Sequence, residues 1–168
     1  MRNNMRAFIK GFGYAFKGIA HGIVNERNLR FHMSIFVYMM FFLLRYDYFE
    51  VSRVEFAVLL MMSALVMAGE LLNSGIENAA NAATLEKNEY VKIAKDTAAG
   101  GVLVFAIFSV LVGVVILFQP LAFKKLFAYF IANPLYIAVL VVSLIADGFF
   151  ILAGPKKIYN FLRGKKND

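Results

Sequence analysis

The fold is decided by an uninterrupted apolar run at residues 98–118, AAGGVLVFAIFSVLVGVVILF, which contains no charged side chain. Its length matches the about 20 residues that a helix needs to cross a bilayer. Three further apolar runs lie at residues 29–44, 54–72 and 135–152. The run at 29–44 is slightly short, so it must use Arg30, Arg45 and Tyr46 as anchors at the membrane interface. The sequence therefore predicts an all-α membrane protein with four transmembrane helices.

The composition of the whole chain agrees with a membrane protein. Of its 168 residues 61% are hydrophobic, and the mean hydropathy of +0.67 is too apolar for an ordinary soluble domain. The chain has no cysteine, which excludes a disulfide framework, a thiolate nucleophile and a cysteine-type zinc site. The net charge of +7 comes from basic residues at the ends of the apolar runs. It therefore indicates membrane anchoring rather than nucleic-acid binding.

The distribution of lysine and arginine predicts the orientation in the membrane. With four crossings, one side of the membrane carries 14 of the 18 basic residues, and the other carries only Arg45, Arg53, Lys124 and Lys125. Both termini and the connection at residues 82–96 are therefore predicted to lie in the cytoplasm, where ATP is found. The first apolar run lacks a small-residue cleavage site, so it is not predicted to be a removable signal peptide.

The segment before the first span is predicted to be an amphipathic helix that lies in the membrane interface. One face carries apolar residues and the other polar ones: Phe8, Phe12, Phe16, Ile19 and Ile23 against Lys10, Tyr14, Lys17 and His21. This helix is either a surface anchor alone, or an anchor whose Tyr14 and lysines also face a nucleotide.

The second apolar run ends in a polar stripe. On a continuous helix Glu70, Asn73, Ser74, Glu77 and Asn81 fall within about 100° of arc. Glu70 and Glu77 are about 10 Å apart along the axis, so one can lie at the lipid boundary while the other meets water. A carboxylate at the end of an apolar span is costly and usually functional, which makes Glu70 a candidate general base. The alternative is a polar face that only holds helices together.

Two further polar clusters flank the spans. In NERNLRFH at residues 25–32, Glu26 either pairs with Arg30 one turn later or completes a magnesium site with Glu77 and phosphate oxygens. His32 in the same motif is interpreted as an interfacial residue. In AKDTAAGGVL at residues 94–103, Asp96 is expected to cap the third span. Lys95 is expected to extend into water or to contact phosphate.

Three motifs together resemble the small bacterial diacylglycerol kinase and undecaprenol kinase family over about residues 5–118. They are NERNLRFH at 25–32, ELLNSGIE at 70–77 and AKDTAAGGVL at 94–103. The first motif is more similar to that of the undecaprenol kinases of Gram-positive bacteria. The resemblance implies a homotrimer in the bacterial plasma membrane, with active sites composed from neighbouring subunits. It also implies direct phosphoryl transfer from Mg-ATP to a lipid hydroxyl.

The resemblance implies a role for each matching residue. Glu70 is expected to be the base that accepts the lipid hydroxyl proton, and Glu26 and Glu77 are expected to bind Mg²⁺. The nucleotide is expected to contact these two metal ligands and six further residues: Tyr14, Lys17, Asn73, Glu86, Lys95 and Asp96. The lipid is expected to contact Lys10, Glu70 and Ala99. No Walker or protein-kinase glycine loop is present. Phosphoryl transfer needs positioning and charge neutralisation more than covalent chemistry, so this set suffices.

The sequence departs from the family pattern at three positions. Asn81 stands where the family usually has Asp, Asn88 where it usually has His, and Arg6 is displaced by one position. Two alternatives to an undecaprenol kinase therefore stay open. The first keeps the enzyme and changes the acceptor to diacylglycerol, and the second is a catalytically silent membrane assembly or binding protein.

Residues 119–168 lie beyond the resemblance and are predicted to extend the 1–118 kinase core. Pro120 and Pro134 bracket a loop or an interfacial helix, and the fourth span follows. Asp147 within that span is expected to reach the cytoplasmic end, to pair across subunits or to bind another group.

Overall fold

The computed structural model of the protein describes residues 2–83 and 88–163, with side chains from residue 5 onward. The described residues contain six α-helices and no strand: α1 (Arg2–Asn25), α2 (Arg27–Arg45), α3 (Arg53–Ala83), α4 (Glu89–Leu117), α5 (Pro120–Ala132) and α6 (Pro134–Leu162). The predicted all-α architecture is confirmed.

Three of the described helices, α3, α4 and α6, are long and apolar enough to cross a membrane. They correspond to the predicted spans at 54–72, 98–118 and 135–152. The run at 29–44 is helical within α2, but α2 is not among the three. Its first two turns carry Arg27, Asn28, Arg30 and His32, which lower its hydropathy. A fourth crossing therefore stays a prediction.

The helices α3 and α4 pack against each other as an antiparallel pair. Gly69 of α3 permits a close approach, because a Cβ atom there would lie 3.0 Å from Cδ2 of Phe105 and 3.7 Å from Cγ2 of Val102. The helix α3 continues without a break to Ala83. It therefore carries the whole polar stripe on a single helix, as predicted.

The helix α1 presents an uncovered apolar face along most of its length. Phe8, Phe12 and Phe16 are 64%, 53% and 68% exposed. Near the C-terminal end the buried Gly22 lets α1 approach α3, because a Cβ atom there would lie only 2.5 Å from Cδ2 of Leu71. An exposed apolar face on a helix anchored at one end is typical of a helix that lies in the membrane interface.

The helix α6 packs antiparallel on α2 through a ladder of polar contacts. Their donors lie four residues apart on α2 and their acceptors four residues apart on α6: Arg30 Nη2 to Ile151 O at 2.9 Å, Ser34 Oγ to Asp147 Oδ1 at 2.7 Å, and Tyr38 OH to Ser143 Oγ at 3.1 Å. Because this spacing keeps the same face of each helix in contact, the two helices run together over about three turns. Asp147 therefore has a hydrogen-bond partner within its own chain.

The prediction that Asp96 caps the third span is wrong. The helix α4 begins at Glu89, and the side chain of Asn88 caps it by accepting hydrogen bonds from Tyr90 N at 2.9 Å and Val91 N at 3.3 Å. Asp96 lies about two turns inside the helix. The helix extends beyond the apolar run because the Asn88 cap satisfies N–H groups that a helix start leaves free.

The segment between Pro120 and Pro134 is the helix α5 rather than a loop. Its last turns join an aromatic cluster with the end of α2, where the Tyr46 ring lies 5.2 Å from the ring of Tyr129 and 6.1 Å from that of Phe130. Tyr46 is only 5% exposed. Aromatic side chains of this kind are typical of a membrane interface. The cluster lies at the opposite end of α2 from Glu26.

Candidate functional site

The polar stripe of α3 meets the N-terminal end of α2. Ser74 Oγ donates a 2.6 Å hydrogen bond to Glu26 Oε1. Glu26 is the N-cap residue of α2, but its side chain makes no capping hydrogen bond, so the carboxylate is available to α3. Glu77 lies one turn beyond Ser74 on the same face of α3 and is exposed. Carboxylates from two helices are thus carried at the same end of the bundle.

Glu70 lies deeper on the stripe and is 5% exposed. His32 Nε2 lies 3.7 Å from Glu70 Oε1, a distance at which a protonated imidazole forms an ion pair with the carboxylate. The sequence motif predicted only an interfacial position for His32, and its contact with Glu70 was not foreseen. The sequence could have indicated it, because His32 and Glu70 are both predicted to lie near the same boundary of the membrane.

Asn73 adds an unsatisfied acceptor to this region. Its Oδ1 atom is buried and has no hydrogen-bond partner among residues 2–83 and 88–163. Buried polar groups are nearly always paired, so this oxygen is suited to accept a hydrogen bond from a bound substrate hydroxyl or to contact a cation. Asn73 lies one turn from Glu70 and one turn from Glu77 on the stripe.

The site has oxygen donors that fit Mg²⁺. Within residues 2–83 and 88–163, no group of three or more His, Asp or Glu side chains is placed to hold a metal ion. Mg²⁺ commonly takes only one or two carboxylates and completes its shell with water and substrate phosphates. Glu26 and Glu77 supply that number of carboxylates, so the residues present fit the ion when phosphate oxygens complete the site.

Lys95 is placed at the outer end of the stripe. Its Nζ donates a 2.6 Å hydrogen bond to Asn81 Oδ1, which joins α4 to α3. Asn81 lies about one turn beyond Glu77 on the same face. Asn81, which stands where the family usually has Asp, therefore still holds Lys95 beside the stripe.

The remaining predicted site residues do not converge on the stripe within one chain. They are exposed side chains without a hydrogen bond to the stripe among the described residues: Lys10, Tyr14, Lys17, Asp96 and Ala99. Tyr14 is 69% exposed. The predicted nucleotide contact Glu86 lies outside the described residues.

A cleft of about 330 Å³ separates α1 from α3 beside the Ser74–Glu26 hydrogen bond. The residues that line it are mostly small: Ala15, Gly18, Ile19, His21 and Gly22 from α1, and Leu71, Ser74, Gly75 and Asn78 from α3. Asn78 is held on the stripe side by donating a 2.9 Å hydrogen bond to Ser74 O. The cleft therefore leaves space next to one of the two candidate metal ligands.

Arg30 does not form the ion pair with Glu26 that was one of the two readings of the first motif. In the part of the chain that the structure describes, the only contact within 4 Å between a basic and an acidic side chain is that of His32 with Glu70. The Arg30 guanidinium instead donates to backbone carbonyl oxygens. Glu26 thus keeps its carboxylate for Ser74 and for a ligand.

A model of the prokaryotic diacylglycerol kinase family matches residues 13–117, more than half of the chain. The chain belongs to this family. It is 33% identical over 122 residues to the undecaprenol kinase of Bacillus subtilis, a match that covers 71% of this chain and 95% of that protein. It is 36% identical over 111 residues to the diacylglycerol kinase of Synechocystis sp., covering 66% of this chain and 62% of that protein. No solved structure matches the chain.

Membership in this family of membrane lipid kinases confirms the resemblance drawn from the three motifs. The matched region contains the whole polar stripe, Glu26 and Lys95, and it ends with α4. The helices α5 and α6 lie outside it. The family match therefore accounts for the candidate site but not for the helix that packs along α2.

Proposed function

We propose that this member of the prokaryotic diacylglycerol kinase family transfers the γ-phosphoryl group of ATP to the hydroxyl of undecaprenol. The observation that carries the proposal is the hydrogen bond between Ser74 and Glu26. It holds a carboxylate from α2 against the stripe that carries Glu77 and the buried Glu70. The similarity to a protein named undecaprenol kinase, over 95% of that protein's length, supports this acceptor over diacylglycerol.

Glu70 is the base in this mechanism. It lies at the apolar end of the stripe, where a lipid hydroxyl held at the interface reaches it. The carboxylate takes the hydroxyl proton as the hydroxyl oxygen forms a bond to the γ-phosphorus. The bond from the γ-phosphorus to the bridging oxygen of the β-phosphate breaks at the same centre, and ADP leaves.

The other stripe residues position the phosphates. Glu26 and Glu77 would hold Mg²⁺, which when bound would supply positive charge to neutralise the phosphate oxygens. Lys95 contributes a positive point charge at the outer end of the stripe, where it contacts phosphate. The free Asn73 Oδ1 accepts a hydrogen bond from a substrate hydroxyl.

A homotrimer with shared active sites completes the nucleotide site. Tyr14, Lys17 and Asp96 are exposed in the single chain and have no partner on its own stripe among the described residues. In a trimer they face the stripe of a neighbouring subunit. Support comes from the uncovered surface of α4, since a membrane helix in an assembly commonly buries such a face against another helix.

The site faces the cytoplasm of a bacterial cell, with both termini on that side of the plasma membrane. The antiparallel ladder supports four crossings, because α2 runs for about three turns beside α6, which is long and apolar enough to span. The excess of lysine and arginine at one end of the spans supports the cytoplasmic assignment of the site.

The test is ATP-dependent, Mg²⁺-dependent phosphorylation by the purified full chain in bilayers, with undecaprenol and diacylglycerol assayed side by side. We expect faster turnover of undecaprenol, which Glu70→Gln removes and Glu50→Gln leaves intact. Glu50 is an exposed carboxylate in the α2–α3 connection, before the end of α3 that is remote from the stripe, so it is a matched control. Faster turnover of diacylglycerol would reassign the acceptor. Turnover of neither lipid by folded protein would support the silent assembly protein.

A further inference from the structure

Arg30 belongs to the matched kinase region, but α6, which lies outside that region, holds its side chain. Arg30 is 4% exposed. Its Nε and Nη2 donate to Ile151 O at 3.1 Å and 2.9 Å, and its Nη1 donates to Ile23 O at 2.9 Å and Val24 O at 3.0 Å. A buried guanidinium needs acceptors for its N–H groups, and here it finds them on the backbone of two other helices.

The carbonyl of Ile151 is free to accept because Gly154 and Pro155 together interrupt the regular helix. In a regular helix the N–H of residue 155 would donate to this oxygen, and proline has no N–H. The residue before it, Gly154, has φ +73° and breaks the helix at the same point. A Cβ atom on Gly154 would lie 3.2 Å from Arg30 Cζ. The Gly-Pro pair therefore supplies both the acceptor and the space for the guanidinium.

The other two acceptors lie in the last turn of α1. The carbonyls of Ile23 and Val24 are among those that a helix end leaves without an intrahelical donor. Glu26 lies two residues after Val24, directly beyond the end of α1, and its backbone oxygen accepts a 3.3 Å hydrogen bond from Arg30 N. The turn that carries Glu26 is thus held on one side by the Arg30 side chain and on the other by the Arg30 backbone.

We propose that α6 positions the metal-binding end of α2 through Arg30. The kink at Gly154 and Pro155 holds the Arg30 guanidinium in place. The guanidinium in turn holds the turn between α1 and α2, and this turn directs the Glu26 carboxylate toward Ser74. Arg30 is a positioning residue. This inference rests on the proposed function for the role of Glu26 as a ligand of Mg²⁺.

The polar contacts between α2 and α6 do not all depend on Arg30, so its positioning role can be tested without undocking α6. Ser34 and Tyr38 contact Asp147 and Ser143 two and three turns away from the kink, and neither contact involves Arg30. A change at the kink therefore releases the guanidinium while the rest of the ladder still holds α6 against α2.

The first test is Pro155→Ala, which adds an N–H group and also lets Gly154 adopt helical backbone, so that the N–H of residue 155 competes for Ile151 O. We expect the Mg²⁺ concentration for half-maximal activity to rise about fivefold or more, because hydrogen bonds to charged groups are strong. Turnover at saturating Mg²⁺ and the KM for lipid should change less than about twofold. Gly148→Ala is the matched control on the same helix, since a Cβ atom there meets nothing within 4 Å.

Arg30 gives a second variant pair. Arg30→Lys keeps the charge and some of the donors, so it should raise the Mg²⁺ requirement less than Arg30→Gln does. A merely structural role would instead lower the folded, active fraction in both without changing the Mg²⁺ requirement. A melting curve and the oligomeric state of each variant show whether it is folded.

A readout without catalysis separates this inference from the proposed function. Because the chain has no cysteine, a spin label placed by Arg27→Cys reports on the turn that carries Glu26. We expect the label to become more mobile when Pro155→Ala is added, and not when Gly148→Ala is added. Unchanged mobility, or greater mobility with an unchanged Mg²⁺ requirement, would overturn the positioning role. A parent chain that phosphorylates no lipid would overturn the proposed function, and the label would still test the contact.

Discussion

The Ser74 hydroxyl donates a 2.6 Å hydrogen bond to the Glu26 carboxylate, and so links the middle of the α3 stripe to the residue that precedes α2. The two residues are 48 positions apart in the sequence. Ser74 is 5% exposed, so little water competes for this contact. The bond restrains one oxygen of Glu26 and leaves the other for a ligand.

We predict that Ser74→Ala weakens Mg²⁺ binding. A hydrogen bond to a charged group contributes about 1.5–3 kcal/mol, so the half-saturating Mg²⁺ concentration should rise about tenfold or more. The measurement is activity against Mg²⁺ concentration at saturating ATP and lipid. Ser63→Ala is the control, because the Ser63 hydroxyl donates only to the backbone oxygen of Leu59 in the same helix. Equal curves for the two variants would contradict a role for Ser74 in orienting Glu26.

Lys95 gives a prediction about the nucleotide. Replacing it with methionine keeps most of the side-chain length and removes the charge, so the KM for ATP should rise about tenfold or more. Lys92→Met is the control, since Lys92 is exposed one turn earlier on α4 and its side chain makes no hydrogen bond among the described residues. The proposal for Lys95 fails if both variants bind ATP like the parent chain.

The helices and the polar stripe were predictable because each depends on local features. A 21-residue uncharged run fixes a span by its length, and the 3.6-residue period places Glu70, Ser74 and Glu77 on one face. Asp96 was placed wrongly because an apolar run marks where lipid ends and not where the helix ends. The helix continues to the Asn88 cap in water.

The Arg30 contacts were not predictable from local sequence. Ile151 lies 121 positions away, and it meets Arg30 only because α6 packs along α2. The Gly154-Pro155 pair was not used in predicting the fold, and although such a pair favours a break with a free carbonyl, nothing in the sequence indicates which donor would use that carbonyl. Tyr14 illustrates a different limit, since it is 69% exposed in the single chain and only the proposed trimer would bring it to a stripe.

The number of membrane crossings is open to a direct test. Four crossings place both termini in the cytoplasm, whereas the three helices α3, α4 and α6 alone would place them on opposite sides. We expect an impermeant thiol reagent added to intact cells to label Asp47→Cys, in the α2–α3 connection, and not Asp168→Cys. Labelling of position 168 from outside would exclude the four-crossing arrangement. The absence of native cysteine makes the background low.

The sharpest prediction concerns the different roles proposed for Glu70, the base, and Glu77, a ligand of Mg²⁺. Glu70 is buried near the apolar end of the stripe, and Glu77 is exposed two turns away. Because a base acts on the chemical step, Glu70→Gln should lower turnover by about 10²-fold or more with little change in ATP affinity. Glu77→Gln should lower turnover and weaken Mg²⁺-dependent ATP binding together.

The competing account treats Glu70 as a polar residue that only holds helices together. A glutamine keeps the size of the side chain and still hydrogen-bonds, so this account predicts nearly normal turnover for Glu70→Gln. His32 helps to separate the two accounts, because its Nε2 lies 3.7 Å from Glu70 Oε1 and this contact is changed by replacing either residue. If packing alone mattered, His32→Gln and Glu70→Gln should have similar, small effects on turnover and stability. A large loss of turnover in Glu70→Gln alone, in folded protein that still binds Mg-ATP, is the outcome that only a base explains.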